Sequence, residues 1–441
     1  DKIFAEWNNL NSPGCAVGAL QNGRFLYKQG YGSANLDYDI PNSPDMVYYV
    51  GSDSKQFTAA SIALLSLQGR LSLDDDIRRY LPEMPDYGTP IRIRNLIHHT
   101  SGIRDMYGLM TLRGDRMEDV FPDSAAIALI ARQKGLAFTP GSAYSYSNSG
   151  YFLLAQIVKR VTGKSLREFA DEQIFQPLGM THTHFHDDPG HVMKQRAMSY
   201  ERDTVGGYRI SYLQNFDKIG AGGLYTTLDD LRKWDENFYS KRVGGDSLQR
   251  VIHTRGVLTN GDTLPYAFGN ELRTYRGLRT VEHGGSLMGY KAYILRFPDQ
   301  HFTVLMTCNL GAIDPGPLAH AVADVYLGDK LGPAQVAAVP TARQASASGT
   351  PDAVPNPADA GAFVGNYYSE DLDVTYRIVR GDDGRIMIVF PRRAAIPLVP
   401  TEPNGFRAGG MTLRFERDGR DAASGIVIRF ARIGDMHLVR R

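Results

Sequence analysis

The chain has 441 residues, 42% hydrophobic and 22% charged, the composition of a folded globular protein rather than a disordered one. Its 49 basic and 48 acidic residues leave a formal net charge of +1, which offers no overall basic footprint for nucleic acid or an anionic membrane. Two cysteines, Cys15 and Cys308, are too few for a disulfide scaffold or a four-cysteine zinc site, and no apolar run reaches the ~20 residues of a membrane-spanning helix.

The first signal along the chain is a hairpin. Two apolar stretches, Cys15–Leu20 and Arg24–Tyr31, flank Asn22-Gly23, a pair suited to the positive φ of a tight turn. After Gly51 the period changes: Phe57, Ala60, Leu64 and Leu67 recur at helical spacing, and Gly69 offers a stop. A second helix is predicted from about Gly150 to Val161, with Gly163 as its C-terminal signal. Ser165 and Glu168 then have the spacing of a capping box. Strand patterns return at Ala267–Tyr275, Leu278–Glu282, Tyr290–Phe297 and Phe302–Cys308, with Pro298-Asp299 as a turn. Strands, then helices, then strands close into an α+β sandwich rather than an alternating βαβ chain.

A Pro-, Ala-, Ser- and Gly-rich run over 333–360 has almost no large apolar residues and reads as a linker between a catalytic part, 1–332, and a tail, 361–441. The tail carries short strand patterns at Phe363–Tyr368, Val374–Val379, Arg385–Val389, Thr412–Glu416, Gly425–Phe430 and His437–Val439, which predict a small antiparallel barrel.

Three motifs carry chemistry. Ser52-Asp53-Ser54-Lys55 stands where a strand-like segment gives way to a helix, so Ser52 and Lys55, at i and i+3, share a face. A serine hydroxyl is a weak nucleophile until a nearby base takes its proton, and a lysine drawn out of water has a lowered pKa and can serve. Tyr146-Ser147-Asn148 stands just before the second helix. Tyr146 there suits a phenolate base or a proton relay, and Asn148 offers a donor and an acceptor to a substrate amide. His283-Gly284-Gly285-Ser286 is placed between two predicted strands, where paired glycines let a substrate backbone approach. A backbone N–H there, with that of Ser52, would make an oxyanion hole.

The ordered set Ser-x-x-Lys, Tyr-x-Asn, His-x-Gly resembles the serine β-lactamase and penicillin-binding protein superfamily, on its class C-like branch. Gly30-Tyr31-Gly32, Leu96-Ile97-His98-His99-Thr100-Ser101-Gly102 and Gly222-Gly223-Leu224-Tyr225 agree, so that the resemblance covers roughly residues 10–330. It implies a β-lactamase-like sandwich, with a five-stranded antiparallel sheet flanked by helices and an all-helical region, and an acyl-enzyme mechanism. It makes Ser52 the nucleophile, with Lys55 and Tyr146 sharing the proton transfers. Asn148 would hold the substrate amide with Gly284, Gly285 and Ser286, and the N–H groups of Ser52 and Ser286 would form the oxyanion hole. His283 would occupy the usual lysine position of the third motif, as in some D-alanyl-D-alanine peptidases and D-stereospecific aminopeptidases. A histidine there holds a carboxylate less firmly than lysine at neutral pH, which counts against efficient β-lactam hydrolysis. The tail resembles the lipocalin-like barrels attached to some peptidases and amidases of this superfamily.

The expectation is a serine hydrolase acting on peptides or amides that contain D-residues, without a cofactor and open to acylation by β-lactams. A carboxylesterase with weak β-lactamase activity is the alternative, and a non-catalytic sensor module the alternative of another class. A metal hydrolase is a further rival, since His182, His184, His186 and His191 cluster with Asp187 and Asp188. The resemblance suggests a periplasmic or secreted protein, and no leader is visible at Asp1, as in a mature or trimmed form. It also makes the first and last strands of the sheet neighbours, which brings Cys15 towards Cys308; two buried free thiols are the expected state.

Overall fold

A computed structural model describes residues 1–211, 215, 217–333, 360–417 and 422–441. The predicted linker lies outside the described residues, apart from residues 333 and 360. Asn22 and Gly23 take φ of 50° and 72° and turn the chain between strands β1, Cys15–Gln21, and β2, Arg24–Tyr31. Four late strands join them: β3, Glu271–Tyr275; β4, Leu278–Leu287; β5, Tyr290–Phe297; and β6, Phe302–Cys308. The result is one antiparallel sheet in the order β3-β4-β5-β6-β1-β2. It has six strands rather than five, because both arms of the hairpin and all four late strands take part.

Burial along β6 is continuous, since both sheet faces are covered. The period of two sorts its residues. Leu305 faces the large core shared with the helices, while Val304 and Met306 face a second core closed by Ala319, Val322 and Ala323.

Helix α1, Ser54–Leu67, is buried from Ser54 through Leu65, so it runs through the protein rather than over it. Further helices are α2, Met106–Arg113, α3, Asn148–Thr162, and α4, Pro315–Leu327. Gly163, at φ 77°, ends α3, and the Ser165–Glu168 capping box forms.

Two strand predictions shift. Residues 267–270 form a tight turn instead of the start of β3: Ala267 N donates to Asn270 O, and Gly269 lies against the backbone of Lys55 and Gln56. β4 runs five residues beyond Glu282, to Leu287.

The cysteines correct a third expectation. Cys15 and Cys308 stand directly opposite in the β1–β6 register, with Cα atoms 3.9 Å apart, and form a disulfide rather than two free thiols. Register decides this, and cysteine counting does not reveal register.

The tail is a nearly closed antiparallel barrel of nine strands. Ile396–Pro397, Val399–Glu402 and Gly405–Ala408 escaped the sequence reading because they are short, and Pro397 and Pro400 break the pattern. The first two are the edge strands, where proline costs no ladder hydrogen bond. The barrel is seated on α2 and its approach: Tyr376 donates to Leu112 O at 2.6 Å, and Arg104 reaches both Asp371 Oδ2 at 2.6 Å and Asp435 O at 2.8 Å.

Candidate active site

Ser52 sits in a 3-10 turn, Gly51–Asp53, that runs directly into α1. Gly51 takes φ 54°, and a Cβ there would meet Ser286 N at 2.5 Å, so this turn needs glycine for both conformation and space. One helical turn on, the fully buried Lys55 Nζ donates to Ser52 Oγ at 3.0 Å, Asn148 Oδ1 at 3.0 Å and Ala221 O at 2.7 Å. Burial dominates its acidity and pulls the amine from 10.5 down to about 7; the Asp105 carboxylate opposes this and the Arg432 cation adds to it. At about 7 roughly half of such amines are neutral at pH 7, the form able to accept a hydroxyl proton.

Tyr146 lies with its ring 4.8 Å below the same amine and in hydrogen-bonding reach of Ser52. Burial pushes its phenol well above 10. It therefore stands protonated, and of the two roles left open by the sequence, the proton relay is the one it can fill. His99 stacks on it at 4.2 Å between ring centroids. Burial, with the Lys55 charge next in size, holds the His99 imidazole well below its usual range, and His99 Nδ1 accepts from Ser147 N at 3.1 Å. A neutral ring thus fixes the backbone beside Tyr146.

Asn148 faces two ways. Its Oδ1 accepts from Lys55, and its backbone N and Nδ2 donate to Asp105 Oδ2 at 2.7 and 2.9 Å. Beside the substrate amide its residue type suits, much of its hydrogen-bonding capacity is thus taken by Lys55 and Asp105. Asp105 also caps α2, accepting from the N–H groups of Tyr107 and Gly108.

His283–Ser286 do not lie between two strands. They lie inside β4, paired with β5 from His283↔Ile294 to Ser286↔Lys291. On the other side β3 ends at Glu271↔Glu282, so among the described residues this stretch of β4 has no strand neighbour there. It packs against the turn that carries Ser52 instead: a Cβ on Gly285 would fall 1.9 Å from Val50 O and 3.0 Å from Ser52 N. That approach brings Ser52 N close to Gly285 and Ser286 N close to Gly51.

His283, 5% exposed, uses its nitrogens inwards. Nδ1 lies 2.8 Å from Gly284 O and 3.7 Å from Asp53 Oδ1, and Nε2 lies 3.3 Å from the Tyr266 hydroxyl. Asp53 is fully buried, and among the described residues neither of its carboxylate oxygens has a hydrogen-bond partner; burial raises it from 3.8 to about 6, against the pull of His283.

These groups open on a cavity of about 940 Å³, lined among others by Ser52, Tyr146, Asn148, His283, Ser286 and Arg432. The histidines of the metal alternative do not line it. His184 and His186 pack on each other and on Tyr225, and burial holds both at about 4. Among the described residues, no group of three or more His, Cys, Asp or Glu has the arrangement of a metal site.

A sequence profile described as Beta-lactamase matches residues 1–327. This chain belongs to the beta-lactamase family. A D-aminopeptidase of Gluconobacter oxydans is 32% identical over 298 residues, 67% of this chain and 56% of that protein. A D-aminopeptidase of Brucella anthropi is 30% identical over 322 residues, 73% of this chain and 60% of that protein. The chain thus spans less than two thirds of the length of either relative. Among solved structures, an octameric penicillin-binding protein homologue from Pyrococcus abyssi superposes with a TM-score of 0.66 at 22% identity, over 97% of this chain and 96% of its own. A D-amino acid amidase from Ochrobactrum anthropi SV3 superposes with a TM-score of 0.62 at 19% identity, over 75% and 98%. At these identities the two superpositions show the shared fold.

Three contributors to this beta-lactamase-family site were not legible in its motifs. Asp105 had the one available signal, an aspartate just before a helix. Ala221 contributes a backbone carbonyl, which leaves no trace in residue type. Arg432 arrives from the barrel.

Proposed function

We propose that this chain is a serine hydrolase that forms an acyl-enzyme on Ser52 and acts on short peptides or amides containing D-residues. The observation that carries the reading is the buried amine of Lys55, brought to about 7 and held 3.0 Å from Ser52 Oγ. In its neutral form Lys55 accepts the hydroxyl proton as Oγ attacks the substrate carbonyl. Charge developing on the carbonyl oxygen falls between the N–H groups of Ser52 and Ser286; one such donor is typically worth about 10²–10³ in rate. Tyr146 relays a proton to the leaving nitrogen, and water then releases the acyl group by the reverse path. Asn148 keeps Lys55 aimed, and His283, Gly284 and Gly285 shape the strand edge along which a substrate lies.

The D-aminopeptidase relatives support the substrate class. Its test is stereochemical: D-alanine amide and L-alanine amide are compared with a short p-nitrophenyl ester. Turnover of the D-amide with little of the L-amide is expected; ester turnover with neither amide would favour the carboxylesterase reading. We assign residues 1–332 to the catalytic part and 361–441 to the barrel. We also place the protein in an oxidising compartment, periplasmic or secreted, because such compartments preserve a disulfide like Cys15–Cys308.

A further inference from the structure

Among the described residues Arg432 is the one arginine on the wall of the Ser52 cavity, and it comes from the barrel, 286 positions after Tyr146 in the chain. Its guanidinium lies 5.0 Å above the Tyr146 ring centroid. Among the described residues its side chain has no acidic partner, whereas most arginines near the barrel interface do: Arg104 pairs with Asp371, Arg392 with Asp119 and Arg132 with Asp373. An arginine presents five fixed donors that match a carboxylate in a fork. Left on a cavity wall with only an aromatic face beneath it, this one is available to an anion.

The turn that carries it is held from below. Asp105 N donates to Arg432 O at 3.2 Å, and Ile433 N donates to Phe430 O at 3.1 Å. Ile433 is fully buried against Gly108 of α2, where a Cβ would come within 2.8 Å of Ile433 Cδ1. Arg432 and Gly434 take positive φ, 62° and 74°, which folds the turn tightly enough to point its side chain into the cleft. The cation is thus preorganised, and little conformational freedom is left to lose on binding.

Its position relative to the reaction follows from Tyr146. If Tyr146 relays the proton to the departing group, the face of its ring borders the leaving side of the cleft. The geometry points to Arg432 as the anchor for a carboxylate on the leaving group, which makes substrates whose departing residue ends in a free carboxylate the preferred class. This rests on the acyl-enzyme reading above and narrows it, towards removal of a C-terminal residue or cleavage of a dipeptide. Among the described residues, the other acidic or basic groups on the same wall are Asp105 and Asp314, which cap α2 and α4, with Glu271, His283 and Lys291. Glu271 is paired with Arg273, and the nitrogens of His283 are turned inwards. Lys291 is the remaining cation, on β5 opposite Ser286.

The test compares the full chain with R432Q and R432K on two matched substrate pairs. The first is an N-acyl-glycyl thioester of thioglycolate and its thioglycolamide counterpart, reactive enough not to depend on peptide recognition. The second is an N-acyl-D-alanyl-D-alanine and its C-terminal amide. The readout is the acid-to-amide ratio of kcat/KM. Arg432 also influences the amine of Lys55, but that influence acts on both members of a pair and cancels in the ratio. The wild-type ratio is expected to be about tenfold or more, to fall towards one in R432Q and to recover in part in R432K. A wild-type thioester ratio near one, or a ratio that R432Q leaves unchanged because Lys291 holds the carboxylate, would overturn the assignment. Arg432-dependent thioester selectivity without turnover of either D-peptide would remove the D-peptide reading and leave the role of Arg432 standing.

Discussion

The amine of Lys55 should impose its own titration on the acylation rate. At its ordinary value of 10.5, about one lysine in 3,000 is neutral at pH 7; at about 7, roughly half are. Burial therefore raises the available base by about three orders of magnitude. The kcat/KM of a p-nitrophenyl ester should climb with pH, about tenfold per unit below pH 6, and level off above about pH 8. Asp105 opposes the lowering of Lys55, so D105N removes a negative charge and should move this limb to lower pH, by roughly one unit for a close buried charge. The substitution also removes the carboxylate oxygen that accepts from Asn148 N and Nδ2. Leaving two buried donors short of an acceptor costs about 2–6 kcal/mol in all, so the profile is best recorded well below the unfolding temperature of the variant. The position of the limb, rather than its height, is the readout. A wild-type profile flat between about pH 5 and pH 9, or a limb that D105N leaves in place or moves upward, would refute the role given to Lys55.

Three further outcomes follow from buried groups. Asp53 is raised from 3.8 to about 6 in the folded protein, so its contribution to stability is complete below the lower value and is lost as pH rises through the upper one. D53N should therefore be more stable than the wild type at about pH 8, by up to about 3 kcal/mol, and level with it near pH 4, as read by urea unfolding at the two pH values. G285A places a methyl 1.9 Å from Val50 O, which forces β4 away from the nucleophile turn; acylation should fall by about 10² or more, and near-normal acylation would sink the oxyanion-hole geometry. Cys15 and Cys308 are 293 residues apart in sequence, so breaking their bond frees a long loop; reduction should lower stability by about 2–4 kcal/mol, and two titratable thiols in the denatured, unreduced chain would contradict the bond.

The sequence disclosed the parts of this site that are local. Ser52 and Lys55 are one helical turn apart, and Tyr146 and Asn148 immediately precede or open the next long helix, so spacing alone set their faces. His283–Ser286 were found as residues but placed between two strands, because two glycines break a strand pattern; in the fold they lie within β4 and let it rest on the turn that carries Ser52. The parts that stayed hidden depend on long-range placement. Asp105 acts 43 positions away on Asn148, and the disulfide depends on a register across the whole catalytic part. Arg432 matters only because an entire barrel docks on α2, which no periodicity within the barrel announces.

The central claim is that Ser52 is acylated. The direct measurement is intact-mass spectrometry with peptide mapping, on the wild type and S52A, quenched early during turnover of the ester and after exposure to a penicillin. The peptide containing Ser52 is expected to gain the mass of the ester's acyl group, or of the whole penicillin, in the wild type, with no gain in a folded S52A that has lost turnover. An increment on another residue, or turnover retained by folded S52A, would contradict it.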